Sequence, residues 1–530
     1  MRRTDSIFHR KQSVAAEVGQ GRTIGARLGQ IAEWSTLKPL NAVARSVPVG
    51  VADESGHDGV IEVIDLLVSG GDVVSSTSTA RLDVGVNDGK VVFLASPGAV
   101  DVEARRVVDA SGQFVVPGGV DAHVHFGFPL SSETMSQSAA RGSRAAAFGG
   151  TTTFIDFARQ SDDGSLMAAI ATKRDDLKVD KPSIDYALHA MITGLSTLDV
   201  LDEMPEAIAE GVSSFKMFTT FTSTEGSGVG ALYSDDGRIW GVMNRAARHG
   251  GIVMVHCEDD SLIAHNIHCL YKEGREQASH VAEARTAVAE EAAIRRMLLL
   301  SRRSNAPLYV CHITSRYGME ALFEARAARV PAFGEVLHHN LSHTEEKYAL
   351  PDGPLFHTYP GLKSMEDQHA LWDGVHDDVV DSVSSDDFTF PRDVKLAGTT
   401  VDTVSAGHNG IETRMGVFFS SAVARRRMSV NRFVALTSEG PAKVFGLFPR
   451  KGLVAPGSDA DIVLIDPKAE HTIRQAELHS DCDYSVWDGW RCAGYPTTTI
   501  LGGNILVEKG TWVGPEGRGS YIPSGRPSEP

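Results

Sequence analysis

Between residues 118 and 448 the chain alternates short apolar or β-rich runs with stretches of helical period. This alternation limits the possible folds more than any other feature. The runs fall at 119–125, 151–157, 183–191, 213–218, 251–256, 307–313, 330–337 and 382–385. Helical periodicity is clearest at 138–148, 198–210, 239–248, 282–300 and 318–328. Eight strands with intervening helices predict an α/β fold, a (β/α)8 TIM-like barrel whose chemistry sits at the C-terminal ends of its strands. The segment joining the seventh and eighth runs is long and irregular, so a doubly wound open sheet is the alternative architecture.

Two blocks of short strands flank this region. The first holds runs at 65–69, closed by Gly70-Gly71, then 82–86, 90–94 after Asp88-Gly89, and 106–109. The second holds 461–466 and 498–508, the latter folded at Gly502-Gly503. Each block has too few strands for its own core, so the expectation is one small β-sandwich domain formed from N- and C-terminal segments. The expected division is therefore 1–60 as an extension that is flexible or packs on a neighbour, 61–117 plus 449–510 as the small β domain, 118–448 as the catalytic barrel, and 511–530 as an extended Gly-, Pro- and Ser-rich tail.

Composition narrows the class further. With 530 residues, 42% of them hydrophobic, the chain is neither disordered nor a small disulfide scaffold. A net charge of −17 gives no general attraction to nucleic acid or anionic membrane. No apolar run approaches the ~18–20 residues of a membrane span. The five cysteines are odd in number and form no C-x-x-C pair, which favours free thiols and a cytoplasmic location. Residues 1–59 carry eight Lys or Arg and six Asp or Glu but no apolar h-region, so a secretory signal is not expected.

Candidate metal ligands gather at the strand ends. His123 and His125 are two apart at the end of the first run, and strand alternation points both side chains the same way. His256 ends the fifth run, His312 the sixth and Asp386 the eighth. One histidine at a strand end is commonly structural; four histidines and an aspartate at one barrel face suggest a metal centre. Lys216 lies near the end of the fourth run among large apolar neighbours, where a bare ammonium is costly to bury. Either it snorkels to the mouth, or its neutral amine adds carbon dioxide to form a carbamate that bridges two divalent ions.

These segments resemble the cyclic amidohydrolases, in particular the dihydropyrimidinase and hydantoinase branch of the amidohydrolase superfamily. The resemblance runs from about residue 61 to 510. It is carried by Pro117-Gly118-Gly119-Val120-Asp121-Ala122-His123-Val124-His125, by 148–157, by Ser214-Phe215-Lys216-Met217-Phe218, by Val253-Met254-Val255-His256-Cys257-Glu258, by 433–438 and by 457–463. It implies that His123, His125 and Asp386 hold the more buried ion, His256 and His312 the more exposed one, and N6-carboxylated Lys216 bridges them. Zinc is the ion such a nitrogen-rich set suits best, with manganese, cobalt and iron as alternatives. The implied activity is metal-dependent hydrolysis of a cyclic amide or imide, a substituted hydantoin or dihydropyrimidine-like ring, to an N-carbamoyl or N-acyl amino acid. Asp386 is the implied proton carrier, and a homotetramer or homodimer the implied assembly.

Departures from the family pattern fall around the substrate. Phe221 stands five residues after Lys216, where the branch usually has a tyrosine donor; Thr219, Thr220 or a metal are candidate replacements. Asp386-Asp387 replaces an aspartate–histidine pair, and Tyr359 enters the substrate loop. Phe126, Phe128, Phe218 and Phe221 suggest an apolar or aromatic ring substituent, the alternative being ordinary barrel packing. Gly127 stands where dihydroorotases carry arginine, which counts against that activity. An allantoinase-like reaction and a non-catalytic family scaffold are the remaining alternatives, although the scaffold relatives have lost ligands that this chain retains.

Overall fold

The computed structural model describes residues 50–52, 58–60, 63–130, 135–160, 164–222 and 232–528. All eight expected barrel strands form: Gly119–Val124, Thr151–Arg159, Asp185–Met191, Ser214–Phe218, Ile252–His256, Leu308–Val310, Ala332–Leu337 and Ser382–Ser384, hydrogen-bonded in chain order. Each successive pair is parallel, and nearly every strand residue is buried, because helices cover one face and barrel side chains fill the other. The sheet closes where Val124 bridges Asp387 and the His125 N–H donates to the Asp387 carbonyl at 2.8 Å. Arg414 supports this seam from inside. Its guanidinium lies 3.2 Å from the buried Asp121 carboxylate and donates to Val383 O at 2.9 Å.

Most helices begin where the sequence offers a side-chain cap. Ser138, Asp235, Thr286 and Ser315 accept from backbone N–H groups at the starts of Ala139–Phe148, Asp236–His249, Ala287–Ser304 and Arg316–Ala327. The helix Leu166–Asp180 buries only Leu166, Ile170 and Leu177, so its sequence carries no visible apolar period. The helix expected at 282–300 is broken. Val281–Ala284 stops before Arg285, and a new helix starts after the Thr286 cap.

The terminal segments build a nine-stranded mixed sheet. Thr511–Trp512, Asn504–Glu508, Arg491–Leu501 and Ile462–Thr472 continue through Phe114–Pro117 into Val63–Val74, Thr79–Asn87 and Lys90–Ala95, with Glu103–Asp109 also pairing on Val63–Val74. Leu66, Val68, Val84, Val115, Ile462 and Leu464 form part of its core. Gly70-Gly71, expected to close a strand, instead lies inside the continuous Val63–Val74 strand as a bulge. Gly70 there has φ of +72°, and a Cβ on Gly71 would lie 2.4 Å from Val115.

Residues 513–528 run extended but are tied to the barrel. The Tyr186 N–H donates to Ser520 O at 3.0 Å, Ile522 N to Tyr186 O at 2.7 Å and Gly525 N to Gly446 O at 2.9 Å. Of the expected 1–60 extension, residues 1–49 and 53–57 lie outside the described residues; Gly50–Ala52 pairs antiparallel with Asp58–Val60. Among the described residues no helix is long and apolar enough to cross a membrane.

Candidate metal centre

His123, His125, Lys216, His256, His312 and Asp386 all line one cavity at the C-terminal mouth of the barrel. The strand pattern places them there: each lies within two residues of the C-terminal end of its strand. His312 and Asp386 leave their strands with positive φ, +34° and +51°. Such backbone costs about 1–3 kcal/mol per residue and is held by its surroundings. Here it turns both side chains into the cavity.

The donor atoms converge in two groups. His123 Nε2 lies 3.4 Å and His125 Nε2 3.1 Å from Asp386 Oδ1. His256 Nδ1 lies 3.1 Å from His312 Nε2. Lys216 Nζ sits beside the first group, 3.4 Å from His123 Nε2 and 3.2 Å from Cys311 Sγ. One ring atom each from His123 and His312 and one Asp386 oxygen lie within 4.8 Å of one another.

A second layer of carboxylates orients these rings. His123 Nδ1 donates to Glu335 Oε2 at 2.9 Å, which leaves Nε2 as a bare lone pair aimed into the centre. Glu335 also accepts from the His312 N–H at 2.9 Å and the Tyr309 hydroxyl at 3.0 Å. In the other group His256 Nε2 donates to Glu258 Oε2 at 2.8 Å, which leaves Nδ1 free to face His312. Arg285, drawn inward at the helix break, donates to the same Glu258 oxygen at 2.5 Å.

Burial alone would raise the Glu258 carboxyl, but the Arg285 charge and His256 outweigh it and hold the pKa at about 2. Burial pulls His125 down to about 4, against its bond to Asp386, and pulls His312 well below the usual imidazole range. Burial would raise Asp386, but electrostatic attraction to the His123 ring and the His125 hydrogen bond hold it well below the usual carboxylate range. Neutral imidazoles and ionised carboxylates are the ligand forms of these groups. Two imidazole lone pairs 3.1 Å apart are close to the separation of two nitrogens bound about 2.0–2.1 Å from one zinc ion. The residues present therefore suit divalent ions.

The expected substrate contacts divide. Phe128, Phe221 and Tyr359 line the cavity with Phe218 and Phe388. Phe126 does not. It faces the helical layer, 5.1 Å ring to ring from Phe154 and pressed on Gly142, because it points to the opposite side from Phe128. Phe221, with φ of +73°, packs 5.1 Å from the His256 ring and 5.2 Å from Tyr359. Neither Thr219 nor Thr220 lines the cavity. The Thr219 hydroxyl is engaged by Glu258 O at 2.8 Å and Thr220 by Asp260 at 3.0 Å. Asp387 caps the Gly410 and Ile411 N–H groups at 2.7 and 3.0 Å, and burial lifts its pKa to about 6.

Glu335, Glu258 and Arg285 went unassigned in the sequence-based reading. A glutamate inside the otherwise apolar 330–337 run was the available signal for Glu335; Arg285 had none.

Known proteins resemble this chain over most of its length. The model of the Amidohydrolase family matches residues 114–506. A D-hydantoinase of Streptomyces coelicolor is 34% identical over 464 residues, 86% of this chain and 97% of that protein. A D-phenylhydantoinase of Escherichia coli O127:H6 is 34% identical over 460 residues, with the same shares covered. The crystal structure of a dihydropyrimidinase from Brevibacillus agri superposes with a TM-score of 0.82 at 31% identity, covering 88% of this chain and 99% of that one.

Proposed function

This chain belongs to the amidohydrolase family, and from that premise we propose that it hydrolyses a C–N bond of a cyclic amide or imide, a substituted hydantoin or dihydropyrimidine-like ring, to an N-carbamoyl or N-acyl amino acid. The observation that carries this reading is the convergence of His123, His125 and Asp386 beside Lys216, with His256 Nδ1 facing His312 Nε2. His123, His125 and Asp386 would hold one divalent ion and His256 and His312 a second. Lys216, as its N6-carboxylated form, would bridge them; its neutral amine adds carbon dioxide and loses a proton to become the carbamate. Zinc is the proposed ion, on the strength of the imidazole-rich donor set. When bound, such a centre supplies a water acidified toward neutral pH and a Lewis acid for the ring carbonyl.

The remaining steps fall to the chain itself. Asp386 takes the proton of the attacking water and delivers it to the ring nitrogen as the C–N bond breaks, so the water is divided between the new carboxylate and the released nitrogen. Glu335 and Glu258 keep the His123 and His256 rings from turning. Phe128, Phe218, Phe221 and Phe388 give the mouth an aromatic lining, which supports a ring bearing an apolar or aryl substituent. The same reading carries a cytoplasmic homotetramer or homodimer acting on a small molecule.

The test is metal analysis together with ring opening of hydantoin, 5-aryl hydantoins, dihydrouracil and allantoin by the full-length protein. About two ions per subunit and fastest opening of an aryl hydantoin are expected. Opening of allantoin alone would move the substrate assignment, and inactivity of the metal-loaded protein on the whole panel would remove it.

A further inference from the structure

Lys395 lies apart from the metal-ligating cluster, on the short helix Arg392–Ala397, and is fully buried. Its three N–H groups meet three backbone carbonyls, those of His357 and Ser405 at 2.7 Å and that of Gly407 at 2.9 Å. An ammonium has three donors and no acceptor, so this cage satisfies it completely. None of the ion pairs among the described residues includes Lys395, so charge pairing does not account for its burial.

The cage joins two stretches of chain that form one wall of the cavity. The first continues from His357 into Thr358 and Tyr359, the second contains Ala406 and Gly407, and these four residues line the cavity. The Gly407 N–H donates to His357 O at 3.0 Å, and the Tyr484 hydroxyl adds a bond to Gly407 O at 3.3 Å. Gly407 has φ of +140°, and a Cβ there would lie 2.3 Å from Phe388 O. Little polar side chain is available on this wall. Ala406 and Gly407 have none, and the Thr358 hydroxyl is engaged by Pro360 O at 2.9 Å. The Tyr359 hydroxyl reaches Val404 O at 3.4 Å, and the peptide groups of Gly407 are taken by His357, Lys395 and Tyr484. The polar groups that this wall can offer a ligand are therefore mainly the peptide N–H and C=O groups of Thr358, Tyr359 and Ala406.

We propose that Lys395 is a positioning residue, whose ammonium fixes these two stretches so that their peptide groups meet the alternating C=O and N–H edge of a cyclic amide. The proposal rests on the cyclic-amide reading above. Lys395 touches neither the metal ligands nor Asp386, so its loss moves substrate binding more than the chemical step. Burial pulls its pKa down to about 7, and the three carbonyls oppose this, because only the ammonium has a third N–H to give them.

The test compares Lys395→Met with wild type on 5-phenylhydantoin. A loosened wall is expected to raise KM about tenfold or more, within the ~10²-fold that a 1 Å misplacement can cost, with kcat changed less than about threefold and metal content retained. Lys395→Ala, produced and assayed with and without ethylammonium, supplies the rescue. Ethylammonium, which has three N–H donors, is expected to lower KM, and tetramethylammonium, which has none, is not. A KM within twofold of wild type in either variant without ethylammonium overturns the proposal, as does a raised KM that ethylammonium leaves unmoved. If Lys395→Met does not fold, Lys395→Ala produced in ethylammonium decides by the same readout. Should wild type open no ring, the cyclic-amide reading fails separately. Amide hydrogen exchange at 357–359 and 405–408 in the variants then decides whether Lys395 anchors the wall, and unchanged exchange overturns it.

Discussion

Lys216 and Lys451 are buried to the same degree at opposite ends of the barrel, and their surroundings differ completely. At the floor Lys451 meets three carboxylates, Asp185 at 2.5 Å, Asp461 at 2.7 Å and Asp459 at 3.0 Å. Burial alone would lower its pKa, but Asp461, Asp185 and Asp459 outweigh it and hold the group above the usual lysine range. The cluster ties the third barrel strand to the start of the strand Ile462–Thr472, a structural task. At the mouth Lys216 has His123, Cys311, Phe157 and Phe218 around it and takes part in none of the ion pairs among the described residues. A buried ammonium with neither a counter-charge nor a set of carbonyl acceptors is costly unless its chemistry changes. The contrast separates a lysine retained for stability from one that we propose is placed for reaction, although both look alike as isolated residues in an apolar run.

The largest effect should come from Lys216→Ala, which tests the mouth. Turnover of an aryl hydantoin should fall by at least about 10³-fold, the upper end of what losing one transition-state donor costs. Elemental analysis should show loss of bound ions, while the metal-free variant unfolds in urea close to metal-free wild type. Retained ions and activity would break the comparison from that side. Lys451→Met should do the reverse. Leaving Asp185 and Asp461 without their cation, while Asp459 keeps Lys90 and Arg450, should cost about 3–5 kcal/mol in urea unfolding, with ion content and kcat of the folded fraction preserved.

The smallest effect is a pH dependence at the floor. Burial would raise Asp459, but the Lys451 charge, with hydrogen bonds from Lys90 and Arg450, holds its pKa at about 2. A depressed folded pKa means that the unfolded state binds more protons as the pH falls. The stability it contributes is therefore complete above about pH 4 and lost on the way to pH 2. Asp461, pushed the other way by burial, works against this trend in the intact cluster. Asp459→Asn isolates the contribution. Wild type should exceed it in stability at pH 5, and the gap should narrow toward pH 2. A gap independent of pH would show that Asp459 acts by packing rather than charge.

Much of the barrel and of its candidate centre was legible because the signals are local. Period-2 alternation aligns His123 with His125, and a strand end is recognisable from the run that precedes it, as with His256 and His312. The helix Leu166–Asp180 was hidden because it buries only three side chains. Phe126 was misplaced because the chain turns after His125 and sends Phe126 and Phe128 to different layers. Arg285, at the helix break, meets Glu258, a partner 27 residues away that no local pattern points to.

The sequence by itself determined the eight strands and the six residues at their ends, because strand periodicity and chain order decide which side chains reach the mouth. Only the tertiary structure decided what surrounds them. Glu335 reaches His123 across 212 residues, and the short last strand closes on the first through Asp387. Lys395 finds carbonyls from two separate stretches, and Lys451 finds its carboxylates on a barrel strand and on the segment that leads into Ile462–Thr472. These partners meet through packing between segments far apart in the chain, and whether a buried lysine is paired, caged or left open is settled there.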